Sequence, residues 1–243
     1  MDRIVLDRKV DIGKEVLIKG PPLEALCFQG SRVGSLVTLT DSEGSDFRGR
    51  VTRLSETEAS ILIFEVFPSP TESSLEIILL QTLPEKERME LIIQKATELG
   101  VTTIVPFKSE RSTSLKEREA KQKKAHRWQH IAVKAVQQSR RARVPYIGEC
   151  LPFHKVLEGC GEDGLKILLW EKEGGNLKSA LRQHDTQKIY AMVGPEGGFT
   201  EDEVKLAKKK GFIPVKLGQR ILRTETVAIT MVGILQYELG DLS

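Results

Sequence analysis

The chain has 243 residues, room for one large domain or for a small one beside a medium one, and the latter is expected here. With 40% hydrophobic and 29% charged residues its composition is globular, which excludes disorder and collagen-like repeats. Its longest apolar runs, such as residues 61–64 and 77–80, fall far short of the roughly 20 residues of a membrane span, and the charged start Met-Asp-Arg-Ile-Val-Leu-Asp-Arg lacks a signal-peptide core, so a cytoplasmic protein with no membrane association is expected.

From residue 3 to about 67, short alternating runs are separated by turn signals, and the pattern predicts strands at 3–6, 15–19, 35–40, 47–54 and 60–67. These make a small β-barrel. Asp41 to Ser45 reads as a hairpin turn, and Arg48-Gly49-Arg50 marks a bulge or a close backbone approach. Pro68 to Ser74, rich in proline and small polar residues, breaks the periodicity, so a domain boundary is placed there, with domains at 1–69 and 73–243.

Beyond it, strand and helix signals alternate. A strand at 75–80 leads to a helix at 86–99, whose apolar positions Met89, Ile92, Ile93, Ala96 and Leu99 keep a three-four spacing. A strand at 103–107 precedes a long basic helix, about 116–140, with Trp128, Ile131, Ala132 and Ala135 as its buried stripe. Further strands are expected at 144–148, 166–170, 189–193 and 213–217, and helices at 153–158, 177–182, 201–210 and 225–239. The class is α/β, with a mostly parallel sheet covered on both faces.

Cys27, Cys150 and Cys160 are too few and too widely spaced for a disulfide framework or a zinc ribbon, and buried free thiols are expected. His126 and His130 share a helical face, but Arg127 stands where a zincin needs glutamate, so no metal site is expected.

The formal charge of +3 hides a strong asymmetry. Residues 108–143 hold twelve lysines and arginines against three acids, a net of +9, and the remainder is net −6. Such a stretch attracts phosphate polyanions, and the cluster Gln137-Gln138-Ser139-Arg140-Arg141-Ala142-Arg143 adds arginines with amide neighbours, which suit phosphates and base edges. Nucleic acid is the favoured partner.

In open α/β sheets, ligands sit beyond the carboxyl ends of strands. Three loops there draw attention. Gly194-Pro195-Glu196-Gly197-Gly198-Phe199-Thr200 has more glycine than a turn needs, which points to backbone brought close to a ligand, and Thr200 with Glu203 forms a capping box at its exit. Neither Walker nor dinucleotide-binding spacing is present. Leu217 to Thr226 (L-G-Q-R-I-L-R-T-E-T) sets the apolar pair Ile221 and Leu222 among charges, as a buried floor under a ligand would, or as a core plug. Arg223 and Glu225 in it are also placed to pair with each other. Trp170-Glu171-Lys172-Glu173-Gly174-Gly175 is the third.

Together with Arg88 to Val101 (R-M-E-L-I-I-Q-K-A-T-E-L-G-V) and Gln138-Ser139-Arg140-Arg141, the two glycine loops resemble the RsmE family of SPOUT-class RNA methyltransferases, which makes 3-methyluridine in 16S ribosomal RNA. The resemblance spans the whole chain. It implies an N-terminal PUA-like β-barrel that binds RNA, a C-terminal SPOUT domain with a deep trefoil knot, bound S-adenosylmethionine, and a homodimer acting on 16S ribosomal RNA or the small ribosomal subunit. By family pattern the cofactor contacts fall to Leu169, Trp170, Glu171, Val193, Gly194, Pro195, Glu196, Gly197, Gly198, Leu217, Gly218, Ile221, Leu222, Arg223 and Thr226. Arg223 and Glu225 become the catalytic candidates, and Arg3, Arg111, Gln138, Arg140, Arg141 and Arg143 the RNA contacts. Val227 stands where the family often has alanine, which is expected to tighten the last helix against the cofactor. Two other readings compete: a SPOUT enzyme modifying another RNA, for example at a 2′-oxygen, and a non-catalytic assembly factor that binds ribosomal RNA.

Overall fold

The computed structural model of the chain describes residues 3–28, 30–42, 45–67, 72–84, 86–112, 121–184 and 186–242. It divides into two compact units, one of Met1–Glu72 with Ser139–Arg143 and one of Ser73–Gln138 with Val144–Ser243.

The first unit is built on a curled, barrel-like sheet of β1 (Arg3–Val5), β2 (Glu15–Ile18), β3 (Leu36–Thr40), β4 (Asp46–Leu54) and β5 (Ala59–Val66), in the order β1-β3-β4-β5-β2. All pairs are antiparallel except β1 with β3. Alternation along the strands buries Ile4, Ile18, Leu39, Ile61 and Ile63 in one core. The register of β4 on β5 shifts between Arg48 and Gly49, and a Cβ on Gly49 would stand 2.3 Å from Ile61 Cγ2. Bulge and close approach therefore coincide at the one residue without a side chain. The strand reading misses one element, helix α1 (Pro21–Phe28), which starts on prolines and buries Leu23 and Leu26 at helical spacing. Cys27 lies on its outer side. It is an exposed free thiol rather than a buried one, while Cys150 and Cys160 are free and half-buried. Of the hairpin turn, Glu43 and Gly44 lie outside the described residues, as do residues 68–71 of the linker.

The second unit carries β6 (Glu76–Thr82), α2 (Lys86–Glu98), β7 (Thr103–Lys108), α3 (Lys121–Ser139), β8 (Tyr146–Ile147), β9 (Leu151–Pro152), α4 (Phe153–Gly159), β10 (Leu165–Leu169), β11 (Gly175–Asn176), α5 (Leu177–Arg182), β12 (Lys188–Val193), α6 (Glu201–Lys209), β13 (Ile213–Lys216) and α7 (Thr224–Leu239). Its sheet runs β11-β13-β10-β12-β6-β7-β8, with β9 also on β7, and every pair is parallel. Because strand side chains alternate, Ile77 and Leu79 join one core with Met89, Ile92, Ile93 and Trp128 of α2 and α3 and with Met231 and Leu235 of α7. Ile78 and Leu80 join the opposite core with Val156 of α4 and Val204 and Ala207 of α6. Met89, Ile92 and Ile93 are fully buried, and each contributes about 1.5–3 kcal/mol relative to exposure. Residues 116–120 of the expected basic helix lie outside the described residues. No described helix is long and apolar enough to cross a membrane.

Candidate functional site

Since β10, β12 and β13 run parallel and side by side around β10, their carboxyl ends open on one edge of the sheet. The loops leaving them line one cavity of about 280 Å³ together with the first turn of α7. Leu169, Trp170 and Glu171 come from β10; Val193, Gly194, Pro195, Glu196 and Gly198 from β12; Leu217, Gly218, Ile221, Leu222 and Arg223 from β13. Thirteen of the fifteen expected contacts meet there. Thr226 lines a neighbouring cavity shared with Leu217 and Gly218, and Gly197 lines neither. Phe199, Val215, Lys216, Arg220, Thr224 and Val227 line the first cavity without having been expected as contacts.

The glycine loop is held from several sides. The Val193 carbonyl accepts from Thr82 Oγ1 at 3.1 Å, and the Gly194 carbonyl accepts from Thr224 Oγ1 at 2.9 Å. Arg88 of α2 donates to Glu196 at 2.7 Å, and Arg111 Nη1 donates to the Gly197 carbonyl at 3.0 Å. Gly198 N–H closes the turn on the Pro195 carbonyl at 2.9 Å. Downstream, Thr200 and Glu203 form the expected capping box, and the buried Glu203 carboxylate also accepts from Ser109 Oγ (3.2 Å) and Glu110 N–H (2.9 Å). The 109–111 turn is thereby fixed beside the loop. These contacts limit the loop's freedom before any ligand arrives.

The second loop departs from expectation at Ile221. The residue is 88% exposed and Leu222 is half-buried, so the pair is a rim and not a buried floor. Gly218 has φ +84°, and a Cβ there would meet no atom within 4 Å, so a side chain would be strained and would project into open space at the cavity wall.

Arg223 occupies the N-cap position of α7 with extended backbone (φ −67°, ψ 151°), makes no side-chain cap bond and is exposed at the cavity edge. Glu225 stands in the first turn of α7, where an acid suits the positive helix start. Instead of pairing with Arg223 it lies 4.0 Å from Arg88 Nε, with its side chain 12% exposed and Oε2 buried without a hydrogen-bond partner among the described residues. Arg88 thus stands between Glu196 of the glycine loop and Glu225 of the helix. No group of three His, Cys, Asp or Glu side chains that could hold a metal ion occurs among the described residues.

Of the expected RNA contacts, Arg3 heads β1, and its side chain lies outside the described part, as do the side chains of residues 116, 118, 121, 123 and 124 of the basic segment. Gln138, Arg140 and Arg143 are exposed. Arg111 is at the glycine loop. Arg141 is buried, and its guanidinium is spent on Glu72 instead of facing outward, because a buried cation needs a carboxylate.

The model of the RNA methyltransferase domain family matches residues 71–236. The chain is 33% identical over 195 residues to the ribosomal RNA small subunit methyltransferase E of Buchnera aphidicola subsp. Acyrthosiphon pisum, covering 80% of this chain and 76% of that protein. It is 30% identical over 214 residues to the protein of that name from Bacillus subtilis, covering 84% and 82%. Among solved structures, the ribosomal RNA small subunit methyltransferase E of Neisseria gonorrhoeae bound to S-adenosyl methionine matches over 100% of both chains, with a TM-score of 0.76 and 32% identity. A Legionella pneumophila protein in complex with the same cofactor matches over 99% of this chain and 98% of its own, with a TM-score of 0.72 and 29% identity. A family match over most of the second unit, relatives covering four-fifths of the sequence, and a shared fold end to end place this chain in the RNA methyltransferase domain family, among the ribosomal RNA small subunit methyltransferases E.

Proposed function

We propose that the chain transfers a methyl group from S-adenosylmethionine to N3 of a uridine in 16S ribosomal RNA, working in the cytoplasm as a homodimer on the RNA or on the small ribosomal subunit. The observation that carries the reading is the single cavity where the three strand-end loops converge, on a chain similar over its full length to a relative solved with S-adenosyl methionine.

The residues present fit that cofactor. Leu169, Leu217 and Leu222 offer apolar wall for a flat base, and the backbone of the two glycine loops offers N–H and C=O groups for its edges and for the amino-acid end. The open space at Gly218 is a cradle that a side chain would fill. When bound, S-adenosylmethionine supplies a methyl carbon on positively charged sulfur, electrophilic enough that the protein's work is placement and proton control.

That work falls to the cavity edge. Uracil N3 becomes a nucleophile as its imide proton passes to solvent at the exposed cavity edge, negative charge spreads onto the flanking oxygens, and the nitrogen–methyl bond then forms as the carbon–sulfur bond breaks and leaves a neutral sulfide. Arg223, exposed and lining the cavity, donates to such an oxygen in the manner of an oxyanion hole. Glu225, turned to Arg88, acts as a helix-start acid and as an anchor for Arg88. Val227 lines the cavity from α7 and narrows it where alanine would leave room. The highly exposed Ile221 beside the cavity suits a second copy of the chain closing over the rim, and the trefoil knot belongs to the same reading. The N-terminal unit serves as a PUA-like RNA-binding module, with Arg140 and Arg143 among the phosphate contacts.

The test is transfer of labelled methyl from S-adenosylmethionine to 16S RNA and to assembled small subunits. Incorporation into either, lost in Gly218→Val, is the expected outcome. No incorporation into either by a folded protein would refute the reading.

A further inference from the structure

Gln81, next to last in β6, is wholly buried between apolar strands. Its amide nitrogen donates to the Thr82 carbonyl at 2.8 Å and to Thr224 Oγ1 at 3.1 Å. Its amide oxygen is buried with no hydrogen-bond partner among the described residues. A threonine hydroxyl has one proton to give, so accepting from Gln81 leaves that proton for the Gly194 carbonyl, 2.9 Å away. The direction of the relay is therefore set: from the end of β6, through the first residue of α7, to the first residue of the glycine loop. Gly194 and Thr224 both line the cavity, on two different walls. Next to Gln81, Thr82 holds the Val193 carbonyl in the same way.

We infer that Gln81 is a positioning residue for the cofactor site: by donating to Thr224 it orients the hydroxyl that ties the glycine loop to the start of α7, fixing the distance between two walls of the cavity. The inference rests on that cavity being the S-adenosylmethionine site. Packing alone argues against a glutamine here. An unpartnered oxygen in an apolar interior costs stability, and a methionine of similar length would fill the space without it, though also without the two bonds the nitrogen donates.

Gln81→Met removes the donor and keeps the volume. Its thermal midpoint without ligand is expected to fall modestly, since the Thr82 carbonyl and Thr224 Oγ1 each lose a donor, while its calorimetric Kd for S-adenosylmethionine rises about tenfold. Thr224→Val is expected to weaken binding by a similar factor, and Thr224→Ser, which keeps the hydroxyl, to stay near the original affinity. The double variant Gln81→Met/Thr224→Val should bind no more weakly than the worse single one, because both cut one relay. Original affinity in a folded Gln81→Met protein, or fully additive losses in the double variant, would overturn the inference. If Gln81→Met does not fold, equal affinities of Thr224→Val and Thr224→Ser would overturn it, and tighter binding by the serine variant would support it. An unaltered chain that binds no S-adenosylmethionine at all would remove the site assignment and the inference with it, a result distinct from any difference among variants.

Discussion

The Glu72 carboxylate closes on Arg141, with Nη2 to Oε2 at 2.7 Å and side chains only 15% and 5% exposed. The same carboxylate accepts from Arg141 Nε and from the backbone N–H groups of Ala142 and Arg143. Arg140, just before them, sits in the left-handed region at φ 59°, a conformation held by the turn around it. One carboxylate thus organises an arginine cluster whose members differ in role.

That difference is measurable. Arg141→Ala leaves the half-buried Glu72 carboxylate without its cation, held only by the backbone N–H groups of Ala142 and Arg143, and should cost about 1.5–3 kcal/mol in denaturant unfolding. Arg140→Glu with Arg143→Glu should leave stability within about 0.5 kcal/mol, as exposed changes do. The pair should instead weaken RNA binding and lower the slope of log affinity against log salt by roughly two, about one per lost phosphate contact. An unchanged slope would mean that these side chains do not touch RNA.

Gly218 and Gly197 should part company. Gly218→Val adds a branched side chain at φ +84° on the cavity wall and should abolish binding of S-adenosylmethionine in calorimetry. At Gly197 a Cβ would meet Arg111 Cβ at 3.5 Å, an ordinary contact outside the cavity, so Gly197→Ala should bind nearly as well as the original. Equal losses at both positions would contradict the site's geometry.

Local signals carried most of the elements. The buried stripe of α2, the capping box of α6 and the bulge at Gly49 follow from spacing and residue type, and all three stand in the structure. What escaped depends on distant partners. Nothing near Arg141 announces Glu72, because the pairing crosses 69 positions of sequence. Exposure of Ile221 depends on packing that a loop sequence does not encode. The Gln81 relay left a faint trace, two polar residues ending the apolar run 77–80, yet its partner lies 143 positions away.

Arg223 and Glu225 should separate in kinetics. Arg223→Lys keeps the charge but loses the planar fork, so single-turnover methyl transfer should slow more than either ligand's binding weakens. Glu225→Gln should lower stability by about 0.3–1 kcal/mol and leave the rise of rate with pH in place, as befits a helix-start acid near Arg88. A folded Glu225→Gln protein that lost its rate–pH dependence would make Glu225 the base.

Thiol labelling tests the burial pattern. Burial pushes the Cys160 thiol up to about 11, against a weaker opposing pull from Lys166. Only the thiolate reacts, so at pH 8 Cys160 should be nearly inert to iodoacetamide, with reaction accelerating as pH approaches 11. Cys27, exposed on α1, should label first in peptide mass spectra. Faster labelling of Cys160 at pH 8 would contradict its burial.

The most direct test is to incubate the chain with small ribosomal subunits, and separately with naked 16S RNA, in the presence of S-adenosylmethionine bearing a deuterated methyl group, and to digest the RNA to nucleosides for mass spectrometry. The account predicts 3-methyluridine carrying the label on the base. Label on a ribose, on another base, or on no nucleoside in either substrate would contradict it.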